Sequence, residues 1–167
     1  MNVKKLTITA LLTALAIVIP FAVFFKVIVP PFSATLGSHV PMFISMLLGP
    51  EAAIMVGIGS ALGFTLNLGP LVGARAFMHV FVGLLGSVLI KKGMSFGKVV
   101  AITGPLHGLL EMLVIMPFVS FDVYNLLIIT GVGSILHHFA DGFISAIIIK
   151  VIPKSILFGS RNAKIEA

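Results

Sequence analysis

Long runs of apolar residues, separated by short polar or glycine- and proline-containing stretches, fill the chain almost from end to end. A helix that crosses the hydrocarbon core of a bilayer needs about 20 mostly apolar residues. Six stretches come close to this requirement, at 5–25, 36–49, 52–68, 71–90, 98–119 and 123–151. We refer to them as segments one to six. Segment two is the shortest, so we expect it to tilt little or to cross only part of the core.

The pattern therefore predicts an all-α integral membrane protein, a compact bundle of six transmembrane helices. Residues 1–167 are expected to form a single transmembrane domain, because no stretch between the segments is long or low in complexity. The breaks carry the residues that end helices, for example Pro30-Pro31, Gly49-Pro50 and Gly69-Pro70.

Composition supports a membrane location and removes several classes of protein. Hydrophobic residues make up 59% of the chain and charged residues only 10%, and there is no cysteine. A soluble domain carries about 25% charged residues, so this chain could not cover a water-facing surface. A soluble globular enzyme, a disulfide scaffold and a zinc-finger protein are excluded on these grounds.

The basic residues predict the orientation. Loops on the cytoplasmic side of a membrane protein carry an excess of Lys and Arg. A cytoplasmic N-terminus puts nine of the 11 basic residues inside, and the opposite orientation would put those nine outside. The nine are Lys4, Lys5, Lys91, Lys92, Lys98, Lys150, Lys154, Arg161 and Lys164. We therefore expect both termini in the cytoplasm. The charges lie at segment ends and form no patch suited to nucleic acid.

Segment one carries small residues on one face. Ala10 and Ala14 are four residues apart, flanked by Thr9 and Thr13, and therefore share one side of a helix. Small residues let the backbones of membrane helices approach closely. This face could pack inside the bundle, or it could receive another membrane protein.

Ionisable residues inside the segments point to function, because each costs at least about 2.5–3.5 kcal/mol to insert. Three segments carry a pair of polar residues spaced four apart, which places each pair on one helix face. The pairs are Arg75 and His79, His107 and Glu111, and His137 and Asp141, with His138 beside the last pair.

Depth can be estimated from a rise of about 1.5 Å per helical residue. Counted from the segment ends, Arg75, His79 and Glu111 all fall in the outer half of the membrane, where they can meet. His39 and Asn125 are further polar residues in the outer half. The pair His137 and Asp141 is expected to lie at the centre or below it.

Two interpretations of Arg75 and Glu111 remain open. They could form a buried ion pair that only fixes helix register. Alternatively, they could line an outward-facing pocket for a small polar solute, because the planar guanidinium donates two parallel hydrogen bonds to a carboxylate. Phe32, Phe77 and Phe81 would then supply aromatic walls for a flat ring.

Other chemistries have weaker support in the sequence. The five histidines are dispersed over four segments, and neither HExxH nor CxxC occurs, so no metal site is expected. Neutral histidines that bond across helices would explain His137, His138 and Asp141. No nucleotide-binding loop of the form GxxxxGK[ST] is present. We therefore expect no enzyme activity and no cofactor in this chain, and a transporter built from it would dimerise or take its energy from elsewhere.

The chain resembles the substrate-binding S components of energy-coupling factor (ECF) transporters. The resemblance rests on the small size, the six segments, the motif Ala-Leu-Leu-Thr-Ala at 10–14, the LLGPE turn at 47–51 and the basic loop after segment four. It implies a vitamin-sized ligand bound from outside and a location in a prokaryotic plasma membrane. It also implies that Ala10 and Ala14 dock on a transmembrane coupling subunit, while two ATPase subunits use the ATP.

The resemblance further implies a ligand shell and a subfamily. The shell would be drawn from the first outer loop and segments four to six, namely Phe32, His39, Arg75, His79, Glu111, Asn125 and His137. The strings SHVPMFISMLLGP at 38–50 and LGPLVGARAFMHVF at 68–81 are most similar to the niacin-specific subfamily. Pantothenate, riboflavin, biotin or a thiamine or pyridoxine precursor remain alternative ligands. A stand-alone secondary carrier or channel remains an alternative function.

Overall fold

The computed structural model describes residues 1–118, 122–153 and 156 of the chain. Helices dominate this part, and one two-stranded hairpin follows the first helix. The helices are α1 (Val3–Ala22), α2 (Val40–Leu48), α3 (Pro50–Leu68), α4 (Pro70–Phe77), α5 (His79–Lys91), α6 (Phe96–Ile115) and α7 (Gly133–Val151). A 3₁₀ turn (Met116–Phe118) follows α6, and a π-helical segment (Tyr124–Val132) runs directly into α7.

Five helical stretches in the described part are long and apolar enough to cross a membrane. They are Val3–Ala22, Pro50–Leu68, Pro70–Lys91, Phe96–Phe118 and Tyr124–Val151. These stretches coincide with predicted segments one, three, four, five and six. The predicted end of segment five at Val119, and the basic residues Lys154, Arg161 and Lys164, lie outside the described residues.

Segment two differs most from its prediction. Only Val40–Leu48 of the predicted range 36–49 is helical, which gives a helix about 14 Å long at 1.5 Å per residue. This length is about half of the hydrocarbon core, in line with the expectation that the segment crosses only part of it. Almost every residue of α2 is buried. The helix is therefore enclosed by the rest of the bundle, with α1, α3, α5 and α7 packed around it.

The stretch before α2 corrects the expectation of a purely helical chain. Lys26–Val29 (β1) and Phe32–Thr35 (β2) pair in an antiparallel hairpin, with Lys26 opposite Thr35 and Val29 opposite Phe32. The run Val-Ile-Val at 27–29 favours a strand because β-branched side chains fit a pleated surface. The turn falls at Pro30-Pro31, where neither residue has an N–H to donate.

Two helix junctions are each a single glycine followed by proline. Gly49 joins α2 to α3 with φ +119°, and Gly69 joins α3 to α4 with φ +89°. Glycine adopts these positive φ values without a steric penalty. Proline then starts the next helix, where a missing N–H costs nothing. The sequence thus turns the chain sharply twice with no connecting loop.

Glycines on α3 bring α1 unusually close. A β-carbon built on Gly63 would lie 2.5 Å from the carbonyl oxygen of Ile17 and 2.7 Å from its Cα. One built on Gly59 would lie 2.6 Å from the Thr13 methyl group. The two helices can pack at this distance only because no side chain stands between them.

We expect Gly63→Ala to lower stability by about 1–3 kcal/mol, the usual cost of overpacking. The backbone of α1 would have to move, since the atoms that the new methyl group meets are not in a flexible side chain. The measurement is the thermal unfolding midpoint in detergent. Gly97→Ala is the control, because a β-carbon there meets nothing within 4 Å. Equal midpoints for the two variants would contradict the close packing.

One end of the bundle gathers basic side chains. Lys5 Nζ lies 2.8 Å from Glu51 Oε2, which joins the starts of α1 and α3. The side chains of Lys5 and Lys91 both lie within 4 Å of a β-carbon built on Gly49. Exposed pairs of this kind contribute little stability. Their importance is that the start of α1 and the end of α5 occupy the same end, as the charge pattern requires.

Candidate functional site

The guanidinium of Arg75 is the centre of a buried polar network. Arg75 lies in α4 and is 3% exposed. Its Nη2 donates to Glu111 Oε2 at 2.6 Å and its Nε donates to the same oxygen at 3.2 Å. Ser134 Oγ also donates to this oxygen, at 2.6 Å. The predicted buried ion pair is therefore present, and Glu111 holds the side of the guanidinium that carries Nε and Nη2.

The hairpin holds the other edge of the same guanidinium. Nη1 donates to the Pro31 carbonyl oxygen at 3.3 Å and to Ser33 Oγ at 3.2 Å. Nη2 donates to the Ser33 carbonyl oxygen at 3.2 Å. The Phe32 ring centroid lies 5.7 Å from Arg75 Cζ, close enough for a cation–π contact. Arg75 thus ties the hairpin to the bundle through the Nη1–Nη2 edge, whose two parallel donors could also bind a carboxylate.

A small cavity adjoins this network. Its volume is about 20 Å³, roughly the space for one water molecule. Residues of β2, α3, α4, α5, α6 and α7 line it together with the turn before α2: Ser33, Ala34, Thr35, Ser38, His39, Phe64, Val72, Arg75, Ala76, His79, Glu111 and His137. A vitamin-sized ring cannot enter a space of this size without movement of a wall.

A larger groove lies on the opposite face of the hairpin. Its volume is about 490 Å³, and it runs between the hairpin and the start of α7. Its walls are mainly apolar and include Phe25, Phe32 and Leu136. Ala34 and His137 line both the groove and the small cavity. Strand β2 therefore lies between a polar cavity that is too small for a vitamin-sized ring and an apolar groove that is large enough for one.

The five histidines converge, contrary to the expectation that they are dispersed. The ring of His39 has its centroid 4.5 Å from those of His79 and His137, 4.6 Å from that of His107 and 5.5 Å from that of His138. The segments that carry them are far apart in sequence but pack side by side. The number of segments that carry histidines does not reveal that every one of these faces points inwards.

Asp141 belongs to the same network as the cavity residues. It is fully buried and accepts hydrogen bonds from the backbone N–H groups of Gly37 at 2.7 Å and His39 at 3.0 Å. His39 Nδ1 lies 2.9 Å from its Oδ2. The start of α2 within the bundle thus brings Gly37 and His39 into contact with α7.

Three residues expected at the site are elsewhere. Phe77 and Phe81 are 41% and 46% exposed, and their rings pack against each other with centroids 5.9 Å apart. They line the outside of the bundle, because the 3.6-residue period turns them away when Arg75 and His79 point inwards. Asn125 donates to Asp122 Oδ2 at 2.7 Å and does not line the cavity.

The other expected residues do meet. Phe32, His39, Arg75, His79, Glu111 and His137 lie around the guanidinium and the cavity, with His79 held by Ser60 at 2.9 Å. Ser33, Ser134 and the hairpin carbonyls were not predicted at the site. The β-branched run at 27–29 is a strand signal and the proline pair after it a turn signal, and together they could have revealed the first of these. Backbone oxygens leave no signal of their own in a sequence.

The small-residue face of α1 is available to a partner. Ala10 and Ala14 are exposed, while Thr9 and Leu12 on the opposite side are buried. Leu11 and Val18, beside them, are 66% and 50% exposed. Of the two interpretations of this face, internal packing is therefore excluded within the described part of the chain.

Comparison with known proteins adds one match. The chain is 34% identical over 156 residues to a curated relative, the niacin transporter NiaX of Lactococcus lactis subsp. cremoris (strain MG1363). The alignment covers 84% of this chain and 70% of the relative. No family model matches the chain, and no solved structure matches it. The apolar helices and this relative identify a multi-pass protein of the cell membrane. The chain belongs to the family of the niacin transporter NiaX, within the ECF S components that its motifs resemble.

Proposed function

We propose that this protein is the substrate-binding S component of an ATP-driven importer for niacin. The observation that carries the proposal is the 34% identity to the niacin transporter NiaX over most of both chains. The buried guanidinium beside a hairpin supports it, because niacin in its ionised form, nicotinate, is a flat aromatic ring with a carboxylate. In this proposal the chain performs no reaction, and separate ATPase subunits hydrolyse ATP.

The carboxylate of nicotinate replaces the hairpin on Arg75. The oxygens of Pro31 and Ser33 now occupy the Nη1–Nη2 edge at 3.2–3.3 Å, and a carboxylate fits the same edge with two shorter, charge-assisted hydrogen bonds. Glu111 keeps the other edge and holds the guanidinium in place. The predicted carboxylate clamp and the predicted ion pair with Glu111 then use two different edges of the Arg75 guanidinium.

Movement of β2 makes room for the ring. A shift of β2 towards the apolar groove joins the cavity of about 20 Å³ to the groove of about 490 Å³, because Ala34 and His137 form a wall common to both. Phe32 offers an aromatic face next to Arg75. His79 and His137 line the cavity, and a ring N–H of either one can donate to the pyridine nitrogen, whereas His39 already donates its N–H to Asp141. The side-chain amide of Asn125 donates to Asp122, and Asn125 has no part in this ligand shell.

The proposed topology has six crossings with both termini in the cytoplasm. The short helix α2 is one of the six and is completed across the membrane by the hairpin. The lysines grouped near Gly49 support this orientation. It places the hairpin and Arg75 towards the outside, where the vitamin arrives. The exposed face of Ala10 and Ala14 then docks on a transmembrane coupling subunit, which transmits the work of two ATPase subunits.

The proposal predicts that nicotinate raises the thermal unfolding midpoint of the purified protein. A ligand that binds only the folded state stabilises it by about 2.7 kcal/mol at 100 times its Kd. The measurement is a thermal scan with nicotinate, nicotinamide, pantothenate, riboflavin, biotin, thiamine and pyridoxine. Nicotinamide is the matched control, because it keeps the ring and lacks the charge. Stabilisation by another vitamin and not by nicotinate would contradict the assignment.

A further inference from the structure

Three histidines of the buried network have the geometry of a metal site. One ring nitrogen from each of His39, His107 and His138 lies within 4.8 Å of the others. His39 Nε2 and His107 Nε2 are 3.3 Å apart. Two nitrogens bound to one tetrahedral ion at about 2.0–2.1 Å would stand about 3.3 Å apart. The centroids of the three rings are 4.6, 5.5 and 5.4 Å apart, and three imidazoles around one such ion have centroids about 5 Å apart.

Hydrogen bonds already orient two of the three rings for this role. His39 Nδ1 faces the Asp141 carboxylate at 2.9 Å and must donate to it, so the lone pair of Nε2 points into the cluster. Thr103 Oγ1 gives its only hydrogen to the Val99 carbonyl at 2.8 Å and therefore accepts from His138 Nε2 at 3.1 Å. This leaves the lone pair of His138 on Nδ1, which is buried and has no hydrogen-bond partner.

The third ring is less firmly fixed. His107 Nε2 lies 3.3 Å from His39 Nε2, to whose lone pair it can donate, and 3.6 Å from Glu111 Oε1. Buried nitrogens are normally satisfied by a partner, so the unpartnered Nδ1 of His138 calls for a physical explanation. A cation between the rings would take the place of the His39–His107 hydrogen bond and would use the lone pairs of His39 Nε2, His107 Nε2 and His138 Nδ1.

The charge of the region favours a cation. Asp141 is fully buried, and among the described residues its ion-pair partners are only His39 and His137. Arg75 is already paired with Glu111. With neutral imidazoles the network therefore carries one uncompensated negative charge, and a buried charge without a counterion is strongly unfavourable. A divalent ion bound to His39 would compensate it through the imidazole that Asp141 holds, an arrangement common around zinc.

We propose that His39, His107 and His138 bind one transition-metal ion of the zinc class, with Asp141 as the group that orients His39. Imidazole ligands select zinc and its neighbours over magnesium and calcium, which prefer oxygen. The second candidate set, His39, His137 and Asp141, is less suitable, because His137 Nε2 is already bonded to Ser38. The site lies beside the vitamin cavity, which His39 also lines, and it goes beyond the proposed function. It replaces the sequence-based expectation that the chain holds no metal.

The test uses the full-length protein, purified without a polyhistidine tag, stripped with a chelator and dialysed against Zn²⁺ or Co²⁺. We expect one ion per chain, a Co²⁺ absorption spectrum of the tetrahedral type, and an X-ray absorption shell of nitrogen at about 2.0–2.1 Å. This measurement on the unaltered chain does not depend on any variant folding. Failure of the protein to retain either ion would overturn the proposal and leave a protonated histidine as the counterion of Asp141.

Variants then identify the ligands. His107→Gln and His138→Gln should each lose the bound ion, and Asp141→Asn should weaken binding by about 10–100-fold, as expected for a group that orients a ligand. His79→Gln is the matched control, because His79 belongs to the same ring cluster but bonds to Ser60. Retention of the ion by both His107→Gln and His138→Gln would show that this set of ligands is wrong.

Discussion

The double variant Arg75→Met with Glu111→Leu should fold and should fail to bind nicotinate. Apolar residues of similar volume often replace a buried ion pair without loss of stability, whereas removal of one partner costs about 3–5 kcal/mol. Each hydrogen bond to a charged group contributes about 1.5–3 kcal/mol. Loss of the two bonds at the Nη1–Nη2 edge should therefore weaken binding by at least about 100-fold. Calorimetric titration in detergent measures this, and a thermal scan verifies folding.

Two controls make the result specific. Lys26→Met removes a cation that lines the groove but does not line the cavity beside Arg75, and it should leave nicotinate binding close to that of the unaltered protein. Nicotinamide, which has no carboxylate, should lose far less affinity than nicotinate in the double variant. Arg75→Ala alone is less informative, because it leaves Glu111 buried without its partner. If the double variant binds nicotinate as tightly as the unaltered chain does, the clamp is wrong.

Ala10→Leu and Ala14→Leu should each block ATP-driven uptake and leave nicotinate binding intact. Both residues face away from the bundle, so the added bulk does not disturb the binding site. It would instead hold the backbone of a coupling subunit away from α1, where small residues permit close approach. We expect uptake in reconstituted liposomes to fall by at least about tenfold, which corresponds to about 1.4 kcal/mol of lost interaction.

Ala101→Leu is the matched control for this prediction. Ala101 is exposed on α6, so the substitution adds the same bulk to another face of the bundle. It should leave uptake unchanged. Copurification of the Ala10→Leu variant with an intact coupling subunit and its ATPases, at the level of the unaltered chain, would count against the docking surface. Equal loss of uptake in Ala101→Leu would show that added bulk has a general effect.

The sequence predicted the long helices well and the outer region poorly. Five of the six segments match helical stretches because a run of about 20 apolar residues has few other stable structures in a bilayer. Segment two is shorter than predicted because Leu-Gly-Ser-His at 36–39 forms the turn between β2 and α2. The hairpin was missed because the stretch between segments one and two was assigned to an outer loop, and hydropathy alone does not identify a short strand there.

The sequence predicted which residues form the site better than it predicted how they are arranged. Spacing of four residues correctly put Arg75 and His79 on one face, and depth correctly brought Glu111 to them. Phe77 and Phe81 were assigned to the wrong side, although each follows Arg75 or His79 by two residues and therefore lies about 200° away around the helix. The binding of hairpin carbonyls to Arg75 was also out of reach, since every residue has a carbonyl.

Asp141 links two elements that the sequence keeps a hundred residues apart. Its carboxylate receives the N–H groups at the beginning of α2, a helix that begins inside the protein rather than at its surface. Water is not available at that depth to accept hydrogen bonds from these N–H groups. Separating α2 from α7 would therefore leave both the N–H groups and the carboxylate without hydrogen-bond partners. Any rearrangement that admits or releases the vitamin must therefore carry these two helices as one unit. The movement that opens the site then falls to the two strands, which Arg75 holds through hydrogen bonds to Pro31 and Ser33.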